Sequence, residues 1–333
     1  MKFGIFVFGD NHPELGRSNS AFYEETLTMA EWAEELGFVS FWFGEHHFYW
    51  YGTLPSPPML IAALGRRTQK IRLGPAVSVL PFHHPLLLAE EYAFADNLCG
   101  GRLNFAVGSG FSPVEYRTLG MSLEEARERY WEAFAVILKA WTEDPFCHSG
   151  KFYRIENGSL YVKPVQRPHP PTWVAASSSE TLARAGRLGF PIMGIPFVRS
   201  NSLREVKEKN DLFKESYFGA GHTTEPDIIV ALHFYLDPND ERAVELARPY
   251  FHRTLLFHKT YRRPGSKIPD FDDVRNEKLA IFASPERAEE ILREYEAIGV
   301  THVICMVNFG GVSMPEVRRT MELIAHELMP RLA

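Results

Sequence analysis

Proton-handling side chains gather at two places in the chain. The apolar run Phe41-Trp42-Phe43 stops at Gly44 and gives way to Glu45-His46-His47-Phe48, and a second run ends in Pro81-Phe82-His83-His84-Pro85. Imidazole titrates near neutral pH, so either pair could supply a general acid or base. A structural pair, with Glu45 orienting one ring at a loop start, accounts for the same residues. Two further stretches could hold a ligand. Gly108-Ser109-Gly110-Phe111 permits close backbone approach to a bound molecule, or makes a plain tight turn. Ser177-Ser178-Ser179 opens a helix, where one serine caps the first turn and where several hydroxyls and N–H groups together suit a phosphate.

Each of these stretches follows a short apolar or β-branched segment, so strands must position them. Strands are expected over residues 2–8, 39–43, 71–80, 102–107, 172–176, 191–195, 228–236 and 300–307, the third interrupted near Gly74-Pro75. Helices separate them. Residues 22–36 are closed by Gly37, 123–142 carry Ala126, Tyr130, Phe134, Ile137 and Trp141 on one face, and 284–298 are closed by Gly299. Eight such alternations, with no long linker and no internal repeat, predict an α/β fold: a single (β/α)8 TIM barrel over residues 1–333. Barrel enzymes place their chemistry at the C-terminal ends of the strands, where both histidine pairs fall. Insertions on that face are expected at about 143–171, proline-rich and carrying a hairpin, and at about 249–284, a less regular stretch containing Tyr261-Arg262-Arg263-Pro264-Gly265 and Asp270-Phe271-Asp272-Asp273.

Composition narrows the partners. The 333 residues hold 36 basic and 42 acidic side chains, a net charge of −6, with no lysine–arginine cluster that could track a phosphate backbone, so nucleic acid is not expected. Hydrophobic residues at 45% and charged residues at 23% describe an ordinary packed protein. Cys99, Cys147 and Cys305 are odd in number and lack metal-ligand spacing, which fits a reducing cytoplasm and predicts no metal. His83 and His84 are read as a feature of the third strand, separate from the Glu45 group. The opening apolar run is too short for a signal peptide and no segment reaches the roughly 18 apolar residues of a membrane span. There is no GxGxxG motif and no P-loop.

Several stretches together, in order along nearly the whole chain, resemble the bacterial luciferase-like family of flavin-dependent monooxygenases. They are Met1-Lys2-Phe3-Gly4, Glu45-His46-His47-Phe48, Gly74 through Pro81 with His84-Pro85, Gly100-Gly101-Arg102, Pro171 through Ser178, Ala283-Ser284-Pro285-Glu286, Gly299-Val300-Thr301-His302-Val303 and Glu327-Leu328-Met329-Pro330. The resemblance implies a barrel that binds reduced FMN at the strand ends and activates O2 as a flavin C4a-peroxide to oxidise a small organic substrate. It assigns acid–base chemistry to His46, with Glu45 and His47 as its supports. Ala76-Val77 matches the position of a non-prolyl cis peptide beneath the flavin ring, and Ser177 and Ser178 match the phosphate stretch, with Ser179 beside them.

Two departures bear on the site. Ser109 stands where the family often has an arginine, so the phosphate is expected to rely on N–H groups and hydroxyls. Gly108 stands where luciferase itself has a reactive cysteine, which is expected to leave more room over the ring and speaks against light emission. The family resemblance further implies a two-component system with a separate NAD(P)H:flavin reductase, and a homodimer. Two other readings stay open: an F420-dependent oxidoreductase working by hydride transfer, and a flavin-binding protein without catalysis.

Overall fold

Short apolar segments pair as parallel strands when both of their faces can be covered, and here the two faces separate cleanly. Phe6, Trp42, Ala106, Trp173, Met193, Ile229, Ala231, Ile304 and Met306 form one cluster inside a barrel. Their neighbours Ile5, Val7, Phe41, Phe43, Phe105, Val107, Val174, Val230, Val303 and Cys305 belong to a larger cluster under the surrounding helices. That period of two is the strand signature. Each large apolar side chain so buried contributes about 1.5–3 kcal/mol relative to exposure.

The computed structural model describes residues 1–261 and 270–332, with the backbone alone over 257–261. The strands are β1 (Lys2–Val7), β2 (Ser40–Phe43), β3 (Arg72–Pro75), β4 (Ser78–Val79), β5 (Phe105–Gly108), β6 (Phe146–Ser149), β7 (Arg154–Gly158), β8 (Thr172–Ala175), β9 (Ile192–Gly194), β10 (Ile228–Leu236), β11 (Ile281–Ala283) and β12 (His302–Met306). The main sheet runs β3-β2-β1-β12-β10-β9-β8-β5-β4, with neighbours parallel. Ala76 and Val77, joined by a cis peptide, separate β3 from β4, so these are two halves of one barrel strand. The seam is closed by Leu73 N–H donating to Arg102 O at 3.0 Å and Asn104 N–H donating to Leu73 O at 2.8 Å. Eight strand positions result, at the places the sequence predicts.

The helices are α1 (Asn19–Glu35), α2 (Pro57–Arg67), α3 (Pro85–Leu98), α4 (Pro113–Thr118), α5 (Leu123–Thr142), α6 (Ser179–Leu188), α7 (Pro196–Arg199), α8 (Leu203–Gly219), α9 (Asp240–Tyr261), α10 (Phe271–Asn276), α11 (Pro285–Ala297) and α12 (Met314–Leu323). Serine hydroxyls start several of them: Ser122 accepts from Glu125 N–H and Ser284 from Arg287 N–H. Among the described residues no helix is long and apolar enough to cross a membrane.

The expected hairpin within 143–171 is the antiparallel pair β6–β7. Its tip is tied to α5 by Glu132, whose carboxylate accepts the N–H groups of Lys151, Phe152 and Tyr153. The irregular insertion expected over 249–284 is not what forms. Residues up to Tyr261 continue α9, with Pro249 inside the helix, and beyond residues 262–269 the chain makes α10 and then β11, a further parallel strand on β10. Proline costs a helix one N–H bond but does not have to end it, and a three-residue strand is too short to show a period. The Arg262-Arg263-Pro264-Gly265 stretch lies outside the described residues.

Candidate active site

The C-terminal ends of β1, β2, β4, β5 and β8 surround a cavity of about 1130 Å³, which the side chains of α5 and α6 extend outward. Its floor at the barrel axis is apolar, with Phe6, Phe8, Ala76, Val77 and Val79 on the wall.

His46 stands on that wall, 6% exposed. Phe8 stacks on its ring at 4.8 Å and Phe111 meets it edge-on at 5.4 Å. Behind it, Gly52 adopts φ +113°, and a Cβ there would fall 2.3 Å from His46 Cβ. Nδ1 lies 3.0 Å from Glu115 Oε1, a carboxylate oxygen that also accepts the His47 N–H at 2.8 Å. A carboxylate only accepts, so the imidazole proton sits on Nδ1 and leaves Nε2 as the nitrogen available for chemistry. Tyr49 places its hydroxyl 3.1 Å from the same Nδ1. Glu115 is fully buried, and its Oε2 has no hydrogen-bond partner among the described residues.

Glu45 works on the other side. Its Oε1 accepts from Nε2 of His83 at 2.6 Å and of His47 at 3.1 Å, and its Oε2 accepts the Val79 N–H at 2.9 Å. Burial alone would raise this carboxyl, but the bonds from His47 and His83, the His83 charge and the Val79 N–H outweigh it and pull it down to about 2. Burial likewise works against protonation of His83, yet the bond to Glu45 and its charge raise the imidazole above its usual value. His83 is therefore not a separate feature of the third strand but a member of the Glu45–His47 group. The three ligand-type atoms lie within 4.8 Å of one another, and the Glu45 Oε1 lies within hydrogen-bond distance of both ring nitrogens.

At the opposite end, Ser177 and Ser178 line the cavity and Ser179 does not. Ser178 caps α6: its Oγ accepts Thr181 N–H at 3.3 Å and donates to Thr181 Oγ1 at 2.9 Å. Arg127 on α5 and Arg184 on α6 reach the same wall. Ala76, Val77, Gly108 and Ser109 are all on it as well. The room expected above Gly108 is not open, because a Cβ there would meet Val77 Cγ2 at 2.6 Å. The valine methyl fills what the glycine leaves. Gly110, at φ +81°, is the residue that needs glycine for its backbone.

Glu115, Arg127, Arg184 and the link from His83 to Glu45 are what sequence reasoning missed. Ser112-Pro113-Val114-Glu115 reads as an ordinary helix start with an acid in its first turn, and nothing local shows that the acid turns inward to a histidine 69 positions away. An aromatic floor with a polar, cation-bearing far end fits a planar ring system that carries a phosphate.

A (β/α)8 barrel with a buried imidazole on a deep cavity at its strand ends is the architecture of a barrel enzyme. The chain belongs to the luciferase-like monooxygenase family, whose model matches residues 1–302. Among curated relatives it is 26% identical to the oxygenase component of the flavin-dependent trigonelline monooxygenase of Acinetobacter baylyi, over 99% of this chain and 95% of that protein. Among solved structures it is 29% identical to the monooxygenase RslO1 of Streptomyces bottropensis, with a TM-score of 0.92 over 100% of both chains. The fold also matches the oxygenating constituent of 3,6-diketocamphane monooxygenase from Pseudomonas putida, a type II Baeyer–Villiger enzyme in complex with FMN, at 22% identity and a TM-score of 0.83 over 99% of this chain and 98% of that one.

Proposed function

We propose that this chain is the oxygenase of a two-component system, in which reduced FMN from a separate NAD(P)H:flavin reductase and O2 act on a small organic substrate in the barrel mouth. The observation that carries the reading is His46, a buried imidazole tied to Glu115 through Nδ1 and standing on the wall of a large aromatic cavity. Bound FMN, once reduced, supplies the electrons that activate dioxygen. Phe6, Phe8, Val79 and the Ala76-Val77 pair would bed its ring, with Gly108 beside Val77. The phosphate would lie against Ser109, Ser177, Ser178 and the α6 N-terminus, near Arg127. Ser179 would act only as the first residue of that helix.

His46 is positioned to take up or return one proton through Nε2 as charge develops on flavin or substrate, and Glu115 holds the tautomer that leaves Nε2 unprotonated. Glu45, with His47 and His83 bonded to it, fixes the backbone on which His46 stands. Phe8 and Phe111 exclude water from the imidazole. The curated relative described as an oxygenase component supports both the flavin and the partner reductase. The homodimer and the cytosolic setting belong to the same proposal. α2 and α3 present Met59, Leu87 and Phe94, each more than half exposed, as an apolar face suited to a second copy.

Incubating the chain with each reduced cofactor tests the reading. Oxygen uptake coupled to an oxygenated product with FMN supports it. Oxygen-independent turnover with F420 would favour hydride transfer, flavin binding with no turnover under either cofactor would leave only a binding protein, and unchanged turnover in His46→Ala would remove His46 from the mechanism.

A further inference from the structure

The far end of the cavity lies between α5 and α6, and two of its cations, Arg127 and Arg184, have no carboxylate partner among the described residues. β5 and β8 pair with Val107 opposite Val174, so Ser109 comes level with Ala176, next to Ser177. A serine there brings no charge. Arg184 lies on the same cavity wall. It is the sixth residue of α6, about 9 Å along the axis from Ser178 at 1.5 Å per residue, and helical side chains lean back toward the N-terminus.

Most arginines of this chain are spent on carboxylates, as Arg67 is on Glu24 and Glu31 and Arg318 on Glu35 and Glu322. Arg184 has no carboxylate partner among the described residues. Its guanidinium carbon lies 4.2 Å from the centre of the Trp131 ring, a cation–π contact that uses none of its N–H groups. A second donor stands beside it. The Tyr130 hydroxyl is buried on the same wall, with no hydrogen-bond partner among the described residues. A buried hydroxyl left unpaired is costly, and a phosphate oxygen is an acceptor that would satisfy it together with the guanidinium.

We propose that Arg184, with the Tyr130 hydroxyl, supplies to the flavin phosphate a cationic contact in addition to Arg127, in place of the one that Ser109 does not make. The proposal rests on the FMN reading above, and it assigns the charge to a helix side chain 75 positions beyond residue 109 rather than to N–H groups and hydroxyls alone. A guanidinium presents a two-pronged edge, which matches phosphate better than a point charge would.

Anaerobic fluorescence titrations with reduced FMN and with reduced riboflavin, which lacks the phosphate, test this without any turnover. Arg184→Met is expected to weaken FMN by about 10-fold or more, as for loss of one charge-assisted contact, and to leave riboflavin unchanged. Adding Ser109→Arg to that variant is expected to restore FMN. Equal FMN affinity in wild type and Arg184→Met overturns the proposal, and so does an equal loss for both ligands, which would mark a structural role. A wild-type chain that binds neither flavin overturns the FMN reading itself.

Discussion

His46 Nδ1 and Glu115 Oε1 are 3.0 Å apart, both buried, and the carboxylate comes from a helix that no local pattern connects to the histidine. Replacing Glu115 by Gln keeps an acceptor oxygen, which the His47 N–H holds in place beside Nδ1, but removes the negative charge, so an imidazolium forming at His46 loses its counter-charge. Turnover is expected to fall on the order of 10- to 100-fold, less than for loss of the acid–base group itself. Stability is expected to hold or rise, because one carboxylate oxygen already lacks a partner. Unchanged turnover in Glu115→Gln would remove Glu115 from the mechanism.

Val77 and Gly108 share one volume. Gly108→Ala puts a methyl 2.6 Å from Val77 Cγ2, and overpacking of this kind costs about 1–3 kcal/mol. Val77→Ala in the same chain is expected to recover most of that loss in chemical denaturation. If the double variant is as unstable as Gly108→Ala alone, the two residues are not complementary.

The Glu45 group sets a pH window. Glu45 is held at about 2 against its usual 4.5, so its contribution to stability is present above pH 4.5 and lost as pH falls toward 2. His83 is raised above 6.5, so its contribution is full below pH 6.5 and lost as pH rises through the folded value. The melting-temperature gap between wild type and His83→Gln is therefore expected to be widest between pH 4.5 and 6.5 and to narrow toward pH 9. A gap that stays constant across that range contradicts the ion-pair account.

Gly52→Ala tests how His46 is seated. The residue sits at φ +113° with no space for a Cβ beside the imidazole, so a loss of about 1–3 kcal/mol is expected from backbone strain. Turnover should drop with it as the ring is displaced. Wild-type turnover in a folded Gly52→Ala chain would show that the precise seat of His46 does not matter.

The barrel was legible because its strands are short, apolar and punctuated by glycine and proline, and because each period-two face is covered. Glu45, His46 and His47 were legible as a motif at a strand end. The interruption of the third strand was placed at Gly74-Pro75 and lies at the adjoining Ala76-Val77. What escaped is long-range or depends on volume: Glu115 reaching His46, His83 joining Glu45, and Val77 filling the space over Gly108. Pro249 disguised the second half of α9, since a proline suggests an end where the helix in fact runs on. Distances between side chains far apart in the chain carry no local signal, and active sites consist largely of such distances.

Single turnover of the chain loaded anaerobically with reduced FMN, then mixed with a substrate panel under ¹⁸O2 and read by mass, addresses the central claim most directly. One labelled oxygen atom in an organic product is expected, formed about 100-fold or more slowly by His46→Ala while flavin affinity is retained. Flavin oxidation with no label in any product, or equal product formation by His46→Ala, would contradict it.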